Sequence, residues 1–212
     1  MYKIKEKNLF QSVIKVLKNK LRDDVHFVWA LSKDFGSSGF RFGVLYTQNK
    51  SILSAFANVN LFSSVSHPMQ AVVADILSDD TFVDRFLNIS KCLLKASYDI
   101  VTQGLNDMHI PFVPAKAGIF VYCDFSSLLQ VNSFKGEDEI ARLFEEHVRI
   151  VMTPGGCQRD RKPGFFRICY AFVTPEVLKI GILRLHMVCA LIREHGWKDI
   201  RILIKKGMVL NC

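Results

Sequence analysis

The feature that most constrains the fold is the alternation of short β-rich runs with longer helical stretches along the 212 residues. Apolar and β-branched runs closed by polar turns are typical of strands, and apolar residues repeating every three to four positions are typical of helices. The pattern predicts strands at 25–30, 40–47, 111–113, 118–125, 150–153 and 165–172, and helices at 12–20, 51–62, 81–108, 137–148 and 175–195. This order predicts an α/β or α+β layered fold.

Two helix starts carry their own signals. His67-Pro68 marks the start of a further helix, because proline is favoured in a first turn. Asp79 or Asp80 can cap the long helix 81–108. The apolar spacing predicts the buried side of that helix as Phe82, Phe86, Leu93, Leu94 and Ile100.

Composition and charge exclude several classes of protein. Half of the residues are apolar, and no apolar run approaches the roughly 20 residues of a membrane-spanning helix. The net charge of +8 lies at the ends, in 1–22 and 193–206, without the interleaved aromatics or motif that nucleic-acid binding needs. Solvated termini are favoured there, with a mitochondrial presequence as the weaker alternative for 1–22. We expect a cytoplasmic protein without a membrane or nucleic-acid partner.

The cysteines and histidines predict no metal site. The six cysteines contain no C-x-x-C pair, and the six histidines contain no H-x-x-x-H pair. We interpret the cysteines as reduced thiols, mostly in the core.

A lysine, an arginine and several glycines are concentrated in segment 30–43, which reads A-L-S-K-D-F-G-S-S-G-F-R-F-G. Lys33 is expected in a turn at the end of a buried strand, and Arg41 on the next strand. A lysine amine can form a Schiff base with an aldehyde, and the arginine fork suits a phosphate dianion. On the residues alone, an ordinary strand end explains the segment about equally well.

The order of these residues resembles the pyridoxal-phosphate lysine motif of the class I and II aminotransferases, S-x-S-K-x-x-x-x-x-G-x-R-x-G. It is most similar to the 1-aminocyclopropane-1-carboxylate synthase branch, S-L-S-K-D-x-G-x-x-G-F-R-x-G. The resemblance implies pyridoxal 5′-phosphate (PLP) as cofactor and Lys33 as the catalytic, Schiff-base residue that also moves the substrate Cα proton. It implies cofactor binding by Ser32 and by Arg41, which would hold the phosphate. Ala30 replaces a serine of the branch, which would weaken the phosphate contacts.

Segment 114–124, P-A-K-A-G-I-F-V-Y-C-D, resembles the P-x-x-A-G-x-F-x-W-x-D stretch of the same family, with Tyr122 at the tryptophan position. A turn that enters a core strand accounts for the segment without any family. We interpret it as packing of a small domain rather than as chemistry.

Arg167 follows a Pro-Gly turn and lies in an otherwise apolar strand. An unpaired buried charge is costly, so this arginine needs an anion, and a structural Asp or Glu explains it as well as a ligand does. The segment resembles the family's G-W-x-R-x-C-F-A, with Phe165 at the tryptophan position. The resemblance implies that Arg167 binds the α-carboxylate of the substrate in a bidentate manner.

The resemblance covers about residues 9–190 and corresponds to the C-terminal half of the family's enzymes. It implies the C-terminal part of a fold type I PLP-dependent transferase. Residues 1–65 would be the end of the large mixed-sheet domain, 66–195 a small α+β domain, and 196–212 a tail of unknown role. The family's D-x-x-Y element, whose Asp protonates the pyridine nitrogen, would precede residue 9.

The resemblance implies a PLP-dependent amino-acid enzyme, either an aminotransferase or a 1-aminocyclopropane-1-carboxylate synthase-like lyase, in a form that lacks the N-terminal half. The alternative is a non-catalytic truncated isoform or pseudoenzyme that acts as a binding or dimerisation partner. The implied partners are an amino-acid substrate and a second subunit, either a second copy or a full-length chain.

Overall fold

The computed structural model describes residues 12–18 and 20–205. Its contacts divide the chain into two compact units, one up to Asp84 and one from Arg85 onward. The division falls inside a long helix, whereas the sequence analysis placed a domain boundary at residue 65. The assignment of these parts to a large and a small domain stays a prediction.

The first unit contains a β-hairpin and several helices. The strands β1 and β2 pair antiparallel, with Ala30 opposite Gly43. The elements are α1 Val13–Val16, β1 His26–Ala30, α2 Leu31–Asp34, β2 Gly43–Thr47, α3 Lys50–Asn60, α4 His67–Ser78 and the start of α5 Asp80–Asp107.

Side-chain caps explain where α3 and α5 begin, and a proline in the first turn explains the start of α4. The Asn49 side chain accepts hydrogen bonds from the backbone N–H groups of Ser51 and Ile52 at 3.0 and 3.1 Å, which starts α3. Asp79 accepts from the N–H of Phe82 at 2.9 Å, and this confirms the predicted capping of α5 by an aspartate. The predicted start of α4 at His67-Pro68 is also confirmed.

The first unit buries little apolar surface. Among its described residues, the buried apolar side chains are Leu31 and Val73. Large apolar side chains are exposed instead, with Phe62 at 91% and Val28 at 74% exposure. The described part of this unit is therefore a scaffold with apolar faces that its own side chains leave uncovered.

The second unit contains a four-stranded antiparallel sheet packed against helices. The order of the strands is β3-β4-β6-β5. The elements are the rest of α5, β3 Phe112–Val113, β4 Phe120–Asp124, α6 Phe134–Leu143 with a π-turn at Phe144–Val148, β5 Thr153–Pro154, β6 Phe165–Cys169 and α7 Pro175–Lys205.

Three aromatic rings form the centre of the second unit's core. Phe125, Phe144 and Phe166 are at most 1% exposed and meet edge to face, with centroids 5.4–5.9 Å apart. Such pairs add about 0.5–1.5 kcal/mol each beyond the area that they bury. The helices α5 and α7 approach closely at Gly104, where a Cβ atom would lie 2.2 Å from the Ile182 side chain.

The predicted buried side of α5 is wrong in part. Phe82 and Leu93 are 45% and 59% exposed, while the predicted residues Phe86, Leu94 and Ile100 are only half-buried. The residues that α5 buries all lie nearer its C-terminal end: Ser97, Val101, Thr102, Gly104 and Leu105. The reason is that this end of the helix packs into the core of the second unit.

The last helix extends beyond the predicted end at residue 195. Gly196 breaks α7 with a φ of 67°, and the chain then turns back into helix as far as Lys205. The Trp197 indole N–H donates to the carbonyl of Leu128 at 2.9 Å, and Ile200 is fully buried. Residues 196–205, which the sequence left without a role, thus belong to the packed second unit.

Candidate functional site

The hairpin of the first unit brings two of the predicted cofactor-binding residues to one end. Beyond the Ala30–Gly43 pair, the N–H of Leu31 donates to the carbonyl of Phe42 at 3.3 Å. The connection between the strands is therefore a loop closed at its base. Lys33 follows Leu31 by two residues, and Arg41 directly precedes Phe42. The two residues therefore lie close to this hydrogen bond along the chain, one in each arm of the loop.

Lys33 lies on the short helix α2 and is exposed, so the expectation of a lysine at a buried strand end is wrong in this respect. The helix itself is held in place, because Leu31 is buried and the Trp29 indole N–H donates to the Asp34 carboxylate at 2.6 Å. Ser32, beside Lys33, is half-buried.

Arg41 does not lie on a strand, contrary to the prediction that a strand begins at residue 40. It follows a 3-10 turn at Ser38–Phe40 and adopts a left-handed conformation with a φ of 52°, which an extended strand does not allow. Its guanidinium donates to the carbonyl of Ser38 at 3.3 Å and is exposed. The strand begins two residues later, at Gly43.

Arg167 lies on the face of the second unit's sheet that points away from the core. Side chains alternate along each strand, and Val121, Cys123, Phe166 and Ile168 are buried on the other face. On β6, Arg167 pairs with Tyr122 of β4 and with Thr153 of β5. The three side chains therefore form a row across the sheet.

The half-buried guanidinium of Arg167 has a hydroxyl and an aromatic ring as its neighbours. It donates to Thr153 Oγ1 at 3.3 Å, and its Cζ atom lies 4.3 Å from the centroid of the Phe120 ring. No acid among the described residues forms an ion pair with it. Of the two partners left open by the sequence, a structural Asp or Glu is thus not found in this part of the chain.

Sequence reasoning missed Glu137, which organises the loop before β6. This carboxylate is 1% exposed and accepts the backbone N–H groups of Gly156 at 2.9 Å and Gly164 at 2.6 Å. It therefore holds both ends of the loop 156–164. The only sequence signal was its place in an acidic helix, which is typical of a solvated face.

Tyr122 closes the same loop over the Arg167 face. Its hydroxyl donates to the carboxylate of Asp160, and its ring stacks on Phe165 with a centroid separation of 5.4 Å. Burial first, and then this hydrogen bond, raise the pKa of Tyr122 well above its usual value. The same bond is the main reason that the pKa of Asp160 lies below its usual value. The tyrosine thus stays a neutral donor at physiological pH.

The residues of the hairpin end fit an anionic aldehyde such as PLP. A primary amine, a hydroxyl and a guanidinium lie on one closed loop, and these groups can hold a carbonyl carbon and a phosphate. The described residues contain no cluster of three or more His, Cys, Asp or Glu side chains that could hold a metal ion. In the same part of the chain, no helix is long and apolar enough to cross a membrane.

Comparison with known proteins decides the family. A family model described as aminotransferase class I and II matches residues 5–185. The chain belongs to this aminotransferase family. Its members are PLP-dependent enzymes, they act on amino acids, and they are typically homodimers.

Several curated relatives of the chain are plant 1-aminocyclopropane-1-carboxylate synthases. The chain is 34% identical over 180 residues to 1-aminocyclopropane-1-carboxylate synthase 2 of Oryza sativa subsp. japonica. This match covers 85% of the chain and 37% of the relative. The chain is 33% identical over 182 residues to 1-aminocyclopropane-1-carboxylate synthase 6 of Arabidopsis thaliana, with 86% and 37% covered. The chain thus spans about 37% of the length of these relatives.

A solved structure supports the fold. The aromatic aminotransferase from Pyrococcus horikoshii matches with a TM-score of 0.68 and 18% identity, over 87% of this chain and 44% of that one. The predicted fold class is confirmed: the chain has the fold of the C-terminal part of a fold type I PLP-dependent transferase.

Proposed function

We propose that the chain is the C-terminal part of a PLP-dependent amino-acid enzyme, an aminotransferase or a 1-aminocyclopropane-1-carboxylate synthase-like lyase. The observation that carries this proposal is the closed loop of the hairpin, with Lys33, Ser32 and Arg41 at one end. Plant relatives that are named as synthases support the lyase, and the solved neighbour supports the aminotransferase.

Lys33 and Arg41 have different roles in this proposal. PLP, when bound, supplies an electron sink for chemistry at the substrate Cα. The Lys33 Nζ atom holds the cofactor and moves the proton at that Cα, while the Arg41 guanidinium and the Ser32 hydroxyl hold the phosphate.

Arg167 binds the α-carboxylate of the amino acid in this proposal. Its fork matches a carboxylate in a bidentate manner, and its side chain is partly shielded from water by Phe120 and Thr153. Because no acid in the described part of the chain neutralises it, an anionic ligand would complete its hydrogen bonds.

A second candidate is a non-catalytic chain that pairs with another subunit. Two observations favour it: Lys33 and Arg41 are both exposed, and the described first unit leaves large apolar side chains uncovered. The family is typically homodimeric, so a second copy or a full-length chain is the expected partner. A cytoplasmic location stays a prediction from the sequence.

Covalent labelling tests the cofactor site. The protein is incubated with PLP, reduced with borohydride and digested, and the labelled peptides are identified by mass spectrometry. We expect one dominant label on Lys33 and its loss in Lys33→Arg, which keeps the charge but cannot form the adduct. Lys50→Arg, an exposed lysine at the start of α3, is the matched control and should keep the label. A label spread over surface lysines would overturn cofactor binding by this chain alone.

Amino-acid binding tests Arg167 separately. In calorimetric titrations with amino acids, Arg167→Lys should lose about tenfold or more in affinity, because lysine cannot reproduce the bidentate fork. Arg142→Lys, an exposed arginine on α6, serves as the control. Equal affinities for the two variants would remove the carboxylate role of Arg167.

For the pairing function, light scattering of the protein at several concentrations should show a dimer.

A further inference from the structure

The guanidinium of Arg167 is held at two points by residues of its own sheet. Its Cζ atom lies over the Phe120 ring, 4.3 Å from the centroid, and its Nη2 atom donates to Thr153 Oγ1 at 3.3 Å. An aromatic ring attracts a cation over its face but does not fix how the guanidinium fork turns above that face. A hydrogen bond is directional, so the Thr153 hydroxyl is the contact that sets the direction of the fork.

Thr153 lies on a strand that is fixed beside Arg167. It is the residue of β5 that pairs with Arg167 of β6. Two residues later, the N–H of Gly155 donates to the carbonyl of Phe165 at 2.7 Å, and a Cβ atom at Gly155 would lie 2.9 Å from the Tyr122 hydroxyl. The chain is therefore closely packed directly after Thr153. Because threonine is branched at Cβ and has few allowed rotamers, its hydroxyl has a defined position relative to the arginine.

The hydrogen bond to Thr153 leaves the fork of Arg167 available to a ligand. The Nη2 atom carries two hydrogens, so one can bond the hydroxyl while the other, together with a second N–H of the guanidinium, faces a carboxylate. A hydroxyl is neutral, whereas an aspartate or glutamate would neutralise the guanidinium and compete with an anionic ligand. Within residues 12–18 and 20–205, no acid forms an ion pair with Arg167. A neutral acceptor thus suits an arginine that binds an anion.

We propose that Thr153 is a positioning residue of the carboxylate site, and that its hydroxyl aims the Arg167 fork at the bound α-carboxylate. The inference rests on the proposed binding of an α-carboxylate by Arg167. It adds a residue of β5 that acts through the arginine rather than by touching the substrate. Without the hydroxyl, the fork would turn over the Phe120 ring, and binding would have to order it at a cost in affinity.

Substitutions of Thr153 test the proposal in calorimetric titrations of the 212-residue protein with L-alanine. Thr153→Val keeps the branched shape but removes the acceptor, and it should weaken L-alanine binding about fivefold, the loss expected for one net hydrogen bond. Thr153→Ser keeps the hydroxyl and should stay within about twofold of the parent. L-Alaninamide, which lacks the carboxylate, should show no difference between the parent and Thr153→Val. Thr81→Val, which removes an exposed hydroxyl on α5, is the matched control.

Rotation of the guanidinium is a second readout, which a merely structural role of Thr153 would not change. In the ligand-free protein, nitrogen NMR measures the rotation about the Nε–Cζ bond, and the Arg167 signals are assigned by their loss in Arg167→Lys. This rotation should be slower in the parent and in Thr153→Ser than in Thr153→Val, because only the first two keep the acceptor. Equal rotation rates in the parent and in Thr153→Val would overturn the proposal.

The titrations separate this inference from the function on which it rests. If Arg167→Lys loses L-alanine binding while Thr153→Val and Thr153→Ser bind it equally, the positioning role is refuted and the carboxylate role of Arg167 stands. If the parent does not bind L-alanine, the carboxylate site is refuted and the positioning role with it. If Thr153→Val differs from the parent in circular dichroism, Thr153→Ala and Thr153→Ser make the same comparison of a variant without and with the hydroxyl.

Discussion

Replacing Glu137 by glutamine tests whether one buried carboxylate holds the loop beside Arg167. The two oxygens of Glu137 accept the N–H groups of Gly156 and Gly164, at the two ends of the loop. Gly164 is buried, while Gly156 is exposed and can be hydrated when its acceptor is removed. The two hydrogen bonds therefore contribute unequally to the free energy of unfolding.

The magnitude follows from these contacts. Glutamine keeps one oxygen, which can stay on Gly164, but its amide group is a donor and cannot accept the second N–H. A hydrogen bond to a charged group contributes about 1.5–3 kcal/mol, and an unpaired buried N–H costs about 1–3 kcal/mol. We expect Glu137→Gln to lower the free energy of unfolding by about 2 kcal/mol. Glu137→Ala, which leaves the buried Gly164 N–H without a partner, should lower it by about 3–4 kcal/mol.

Urea unfolding measures the effect in the second unit alone. The chain has two tryptophans, so a Trp29→Phe background leaves Trp197 as the reporter in the same unit as Glu137. Asp138→Asn, an exposed neighbour on α6, is the matched control and should change stability by less than about 0.5 kcal/mol. If the midpoint of Glu137→Gln moves no further than that of Asp138→Asn, the carboxylate does not hold the loop.

Three further predictions concern single contacts of the second unit. Tyr122→Phe should raise the pKa of Asp160 towards its usual value, as followed by NMR of its carboxyl carbon. Since a lowered carboxyl pKa stabilises the fold above about pH 4 and this contribution is lost on acidification, the variant should also lose less stability below pH 4 than the parent. Gly164→Ala should destabilise in urea by at least about 2 kcal/mol more than Gly118→Ala, because both glycines lie in the second unit with positive φ but only the first brings a Cβ atom within 2.5 Å of another backbone atom. Ile200→Ala should cost about 2–5 kcal/mol in the same assay; a loss below 1 kcal/mol would mean that residues 196–205 pack loosely.

Local signals explain which elements could be predicted from the sequence. A helix start depends on a few neighbouring residues, so His67-Pro68 and Asp79 located α4 and α5 correctly. The family motifs are similarly local, because the spacing of Lys33 and Arg41 is fixed along the chain. The confirmed fold class depended on this resemblance, since periodicity alone left α/β and α+β folds open.

Burial could not be predicted in the same way, because it depends on segments distant in sequence. The amine of Lys33 is exposed although its motif suggested a buried strand end. Glu137 was missed for the opposite reason: it lies on an acidic helix and becomes buried only when the glycines of the loop 156–164 approach it. The roles of Lys33, Arg41 and Arg167 toward a ligand stay predictions until the labelling and titrations are done.

The last helix packs into the core beyond the end of the family match, so family similarity and the folded core end at different residues. The family match ends at residue 185, yet Trp197 and Ile200 pack into the same core as the sheet. A shortened protein that ends at residue 185 would leave the carbonyl of Leu128 without the Trp197 indole N–H. It would also leave a cavity where the Ile200 side chain packs. The end points of shortened variants of this chain should therefore be chosen by which residues are buried rather than by where the family match ends. Frameshifts downstream of residue 185 are expected to behave as folding mutations, even though no motif of the family is touched.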